Sequence, residues 1–184
     1  MSESKKHTAL LGLVFLAFLL LSSYENTVFF NLLLREILKN QFLAVGTLLL
    51  HNLLVVSLIL LGMSFYVSLV QSGFFRREKH SHIVLEHPRI FALVFTVVVV
   101  FLSILRGCTL IYGGVSLETL PAILLISTPI GLVEGYGIYT TIKKTLSQTM
   151  KTRDLAFIYS IFLAAAVLEV TFINVLILVL RLSA

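Results

Sequence analysis

The chain has 184 residues, 58% of them hydrophobic and only 12% charged, with a mean hydropathy of +1.03 and a formal net charge of +5. That composition lies outside the range of soluble globular domains and points to an integral membrane protein. At roughly 20 apolar residues per crossing, the length holds about five or six helices in one transmembrane domain, 1–184, with no room for a separate soluble catalytic domain. The basic residues fall in short clusters between apolar runs rather than along one polar face, so they read as topology signals and no nucleic-acid partner is expected. Cys108 is alone, which excludes an intrachain disulfide and speaks against a thiolate metal site.

The N-terminus, MSESKKHTALLGLVFLAFLLLSS, has the basic start and apolar run of a secretory signal, and Ser22 and Ser23 resemble the small residues of a cleavage site. The run is long enough to be kept as a first span, about 8–23, and retention is the expectation. From about 25 to 40 the sequence mixes Glu25, Arg35, Glu36 and Lys39 with Phe29, Leu32, Leu33 and Ile37 at helical spacing. This pattern predicts an amphipathic helix that is interfacial or re-entrant, or an ordinary extension of the first helix packed on the other spans. The second span, about 42–71, contains LLHNLLVVSLILLG; its length allows tilt.

A polar connection follows, with Arg76, Arg77, Lys79, His80, His82 and His87. Its histidines lack a carboxylate or thiolate framework of recognised spacing, so no metal or other cofactor is expected; a wet basic segment suited to anionic lipid headgroups is the better description. The third span covers about 90–106, the fourth about 119–142 and the fifth about 155–180. Five crossings from a cytoplasmic N-terminus place 10 of the 14 basic residues inside, in agreement with the positive-inside rule. The sequence therefore predicts an all-α polytopic bundle of about five spans plus the interfacial helix, multi-pass in the cell membrane, C-terminus outside.

Polar groups at bilayer depth are costly, about 2.5 to 3.5 kcal/mol for a charge at a helix centre on insertion scales, so those inside the spans are the functional lead. His51 and Asn52, Glu134 and Glu169 fall in the middle thirds of spans two, four and five, which predicts one buried polar cluster joining three helices. In the fourth span, LPAILLISTPIGLVEGYGIYTTIKK, Ser127, Gly131, Glu134 and Thr141 share roughly one stripe flanked by Gly135. Gly131 and Gly135 predict close helix packing. Pro129 predicts a kink or break just before Glu134. The cluster reads either as interhelical hydrogen-bond glue or as a site for a proton, cation or polar substrate. No HExxH, GxSxG or Gly-rich phosphate loop is present, so no catalytic residue is assigned and an enzyme is not expected.

The segments LLHNLLVVSLILLG, PIGLVEGYG and AAAVLE together resemble the stage II sporulation protein M (SpoIIM-like) family of small multi-span membrane proteins, over about Gln41 to Thr171. By that resemblance Asn52 takes the family's asparagine, Pro129, Gly131 and Glu134 its central motif, and Glu169 its late glutamate. His51 stands where a first asparagine is common, and Ile130 replaces the motif histidine. The namesake looks like a membrane scaffold for cell-wall-degrading partners, while the wider family has no agreed activity. The resemblance implies a non-enzymatic scaffold or complex subunit whose partners are the lipid bilayer and other membrane proteins or further copies of itself. A small transporter or channel component with a midplane carboxylate site is the alternative.

Overall fold

Between Gly12 and Gly46 the sequence holds neither glycine nor proline, and nothing there interrupts a helix. In the computed structural model, which describes residues 3–36, 40–73, 83–112 and 120–183, α1 accordingly runs unbroken over Glu3–Glu36. Residues 25–36 thus continue the first helix. At about 1.5 Å per residue α1 is about 51 Å long, well beyond the roughly 30 Å of a bilayer's hydrocarbon core.

The remaining elements are α2 (Gln41–Gln71), a single turn α3 (Ile83–Glu86), α4 (Pro88–Tyr112), α5 (Leu120–Leu146) and α6 (Thr152–Ser183). Asn40 caps α2, its side chain accepting from the amides of Phe42 at 3.1 Å and Leu43 at 3.2 Å, so two orphan donors of the first turn are satisfied. Gly73, at φ 74°, closes the other end. Pro88 opens α4, where a missing N–H costs nothing. Lys39, Arg76, Arg77, Lys79, His80 and His82 lie outside the described residues.

Among the described residues four helical segments are long and apolar enough to cross a membrane: Lys6–Glu25, Gln41–Gln71, Pro88–Leu105 and Thr152–Phe172. Their exterior carries large apolar side chains such as Leu20, Leu93, Val97 and Leu163, and those of α5 include Leu125, 77% exposed. Apolar surface this extensive is the mark of a membrane-facing or partner-facing exterior.

The helix pairs can be read from their contacts. In α1 and α2, a β-carbon at Gly12 would lie 2.8 Å from Phe65, and one at Gly62 would lie 3.0 Å from Phe15. Thr8 and Ser68 share a hydrogen bond at 2.7 Å, and Glu25 meets His51 at 3.0 Å. As the number rises along α1 it falls along α2, so the two form an antiparallel hairpin in fixed register from Thr8 to Glu25.

Likewise α5 runs antiparallel to α4, with Gly131 against Val100 and Gly135 against Thr96, and antiparallel to α6, with Gly137 against Phe162 and Lys144 bonded to Asp154. Helices α2 and α5 run parallel, with Asn52 beside Glu134 near the middle and Ser68 and Gln71 facing the same cavity as Thr145 and Gln148 near one end. Helix α2 is central, packed on α1, α5 and α6, and α5 packs on α2, α4 and α6.

Two hydrophobic clusters hold the centre. One joins Val56 and Val67 of α2, Ala92 of α4, Ile138 and Ile142 of α5 and Ile158 and Phe162 of α6. The other joins Ala44 and Leu48 of α2 to Ala166 and Val170 of α6. The pairings gather Lys6, Arg89, Lys143, Lys144, Lys151 and Arg153 at one end of the bundle.

Candidate functional site

On α2 the buried residues Ala44, Leu48, Asn52 and Val56 recur every fourth position and so lie on one face. Leu48 belongs to one hydrophobic cluster and Val56 to the other. Asn52 therefore sits in a polar layer between them. Across from it, Asn52 Nδ2 donates to Glu134 Oε1 of α5 at 3.3 Å. On α6, Glu169 follows Ala165 and Ala166, both fully buried, and its carboxyl is near enough to Glu134 for the two to interact electrostatically. Asn52, Glu134 and Glu169 thus join α2, α5 and α6 in one layer.

His51 turns elsewhere. Adjacent residues on a helix point about 100° apart, and the His51 ring meets α1, with Nδ1 3.0 Å from Glu25 Oε2 and both side chains largely buried. The carboxylate at His51 Nδ1 is therefore Glu25, a residue assigned from the sequence to the interfacial segment. Its role depends on the α1–α2 register, and only an acidic residue near the end of an otherwise apolar helix hinted at it.

Gly131 and Gly135 face α4 rather than the carboxylates. A β-carbon at Gly131 would come within 3.2 Å of Val100, and one at Gly135 within 3.4 Å of Val100 and 3.5 Å of Thr96. The tightest approach on α5 is at Gly137, where a β-carbon would lie 2.7 Å from the Phe162 ring of α6. Gly137 stands out in the sequence as one of the glycines of this span, but it was given no packing role, because spacing does not say which glycine meets α6. Pro129 is exposed, and α5 is continuous across it; of the expected kink or break before Glu134, the break does not occur. Proline removes a single donor, and the surrounding turns keep the helix together.

Among the described residues no group of three histidines, cysteines or acidic residues could hold a metal ion. A cavity of about 560 Å³ opens between α1, α2 and the α5–α6 turn, lined in part by His7, Ser64, Ser68, Gln71 and Thr145. A second, of about 710 Å³, lies between α1 and α2 around Gly12 and Phe65, and a third, of about 570 Å³, is a groove between α4 and α5. Neither Glu134 nor Glu169 lines any of these three.

Fold and site together define an all-helical bundle with an apolar exterior and a polar layer between its inner helices. The chain matches no family model, no curated protein and no solved structure.

Proposed function

We propose that the protein is a SpoIIM-like, multi-pass membrane protein that acts without catalysis, as a scaffold or subunit of a membrane complex. It crosses the cell membrane five times. Helix α5 packs antiparallel on α4 at Gly131 and Gly135 and on α6 from Gly137 to Lys144, which supports a crossing by α5 beside theirs. The basic end of the bundle is cytoplasmic by the positive-inside rule, which leaves the C-terminus outside. The observation that carries the scaffold reading is the arrangement of the polar groups: Asn52 bonds to Glu134 across a helix contact, with apolar clusters on either side of it along α2. The large apolar faces outside remain for lipid, other membrane proteins or further copies. Support from sequence lies in PIGLVEGYG and AAAVLE.

A second reading has one observation in its favour. Glu134 and Glu169 stand in the same inner layer of the bundle, and ionisable groups inside membrane helices are where protons and cations bind. Two substitutions separate the readings. Glu134→Gln keeps the size of the side chain and an oxygen for Asn52, whereas Glu134→Leu removes the hydrogen bond. For a scaffold, Glu134→Gln retains wild-type melting and co-purifying partners, Glu134→Leu loses about 0.6 to 2 kcal/mol, and proteoliposomes show no ion flux above empty vesicles. Proton- or cation-coupled flux that disappears in Glu134→Gln would overturn the scaffold in favour of the transporter.

A further inference from the structure

The groove between α4 and α5 is open along one side and almost wholly apolar, with Leu93, Val97, Val100, Gly131, Leu132 and Tyr136 among its walls. Its floor exists because Gly131 and Gly135 present no side chain beneath Val100. From Leu93 to Ile104 it extends about 16 Å along α4 at about 1.5 Å per residue. A shallow apolar groove of that length offers hydrocarbon chains a surface to lie along.

The two stripes that form the walls end in cations. On α4, Arg89 precedes Leu93 and Val97 at four-residue steps; on α5, Lys143 follows Leu132, Tyr136 and Tyr139 at three- and four-residue steps, so each cation continues its wall by one turn. The antiparallel register that sets Gly135 against Thr96 and Gly131 against Val100 brings Lys143 level with the start of α4, where Arg89 lies. The Lys143 ammonium stands 5.6 Å above the Tyr139 ring, directed along the wall of the groove. Arg89 is exposed, and Lys143 only half-buried.

We infer that the α4–α5 groove is a binding site for an anionic glycerophospholipid, its acyl chains lying along the apolar walls and its phosphate held between Arg89 and Lys143. Basic pockets between membrane helices on the cytoplasmic side recognise anionic headgroups in this way. The inference rests on the membrane reading above.

The test is native mass spectrometry of the full chain in mild detergent, titrated with phosphatidylglycerol and, separately, phosphatidylcholine. Wild type should retain phosphatidylglycerol preferentially. Arg89→Gln with Lys143→Gln should weaken that lipid about thirtyfold, the loss expected for two cations near an anionic surface, and leave phosphatidylcholine unchanged. Val97→Trp, placed at an exposed position of the wall, should plug the groove and weaken both lipids. Equal retention of the two lipids by wild type overturns the inference, as does an unchanged preference in the double variant, which would place the headgroup elsewhere. So does loss of a dimer rather than of lipid in Val97→Trp, which would make the occupant a second copy. Failure of the chain to reconstitute into vesicles would instead refute the membrane reading itself.

Discussion

Gln148 adopts φ 54°, a left-handed conformation that costs a residue with a β-carbon about 1 to 2 kcal/mol. The cost is accepted because of where the residue stands. The amide of Thr149 donates to the carbonyl of Lys144 and that of Gln148 to Thr145, both at 3.0 Å, the paired bonds that close a helix when its next residue turns left-handed. Six residues after Gln148, in the first turn of α6, Asp154 braces the turn: one oxygen accepts from the Lys151 amide at 3.0 Å and the other from Lys144 Nζ at 2.7 Å. An ion pair this open to solvent contributes little, so the turn is held chiefly by its backbone. Replacing Gln148 with Gly, which adopts this conformation freely, should raise stability by about 0.5 to 1 kcal/mol in a thermal melt in detergent, whereas Gln148→Ala should leave it unchanged. None of this was legible beforehand, since glutamine carries no signal for a left-handed turn. The carboxylates were legible, because any acidic residue inside an apolar run must find a partner. What spacing could not supply was which partner: Asn52 and His51 are neighbours in sequence and serve different helices.

At the scale of the helices, two glycine–phenylalanine contacts fix the α1–α2 hairpin: Phe65 lies over Gly12, Phe15 lies over Gly62, and the two rings stack with centroids 6.1 Å apart. Gly12→Ala puts a β-carbon 2.8 Å from the Phe65 ring, and overpacking of this kind costs about 1 to 3 kcal/mol. Phe65→Leu frees the space. The double variant should therefore recover most of the stability lost by Gly12→Ala, a coupling of about 1 kcal/mol or more in a double-mutant cycle; additive losses would show that the contact does not set the register. The helices themselves follow from sequence features that act locally, namely apolar runs, the absence of Gly and Pro from 13 to 45, an asparagine cap and a proline at a first turn. Their pairing does not. Gly131 and Gly135 were expected at a close contact and lie at one, yet against α4 rather than beside the carboxylates, because the face a glycine presents to a neighbour depends on the rotation of the whole helix.

For the whole molecule the open quantity is the number of crossings, and α5 decides it. Among the described residues four helical segments are long and apolar enough to cross, and α5 carries Glu134, four threonines and two lysines over 27 residues. Three of the threonines are turned inward, however: Thr140, Thr141 and Thr145 are buried, and the hydroxyls of Thr141 and Thr145 bond to carbonyls four residues back at 2.8 and 2.7 Å, which is how a membrane helix accommodates them. Outward it shows Leu125, Leu132 and Tyr136. The two topologies differ at Thr149, an exposed residue of the α5–α6 turn. With five crossings Thr149 lies on the same side as the N-terminus, together with Lys143, Lys144, Lys151 and Arg153; if α5 did not cross, Thr149 would share the side of Gln41, at the start of α2. In a Cys108→Ser background, Gln41→Cys should react with a membrane-impermeant thiol reagent in intact cells, and Thr149→Cys should react only after permeabilisation. Labelling of both in intact cells would reduce the crossings to four and return the C-terminus to the cytoplasm, against the charge bias that puts 10 of 14 basic residues inside in the five-span arrangement.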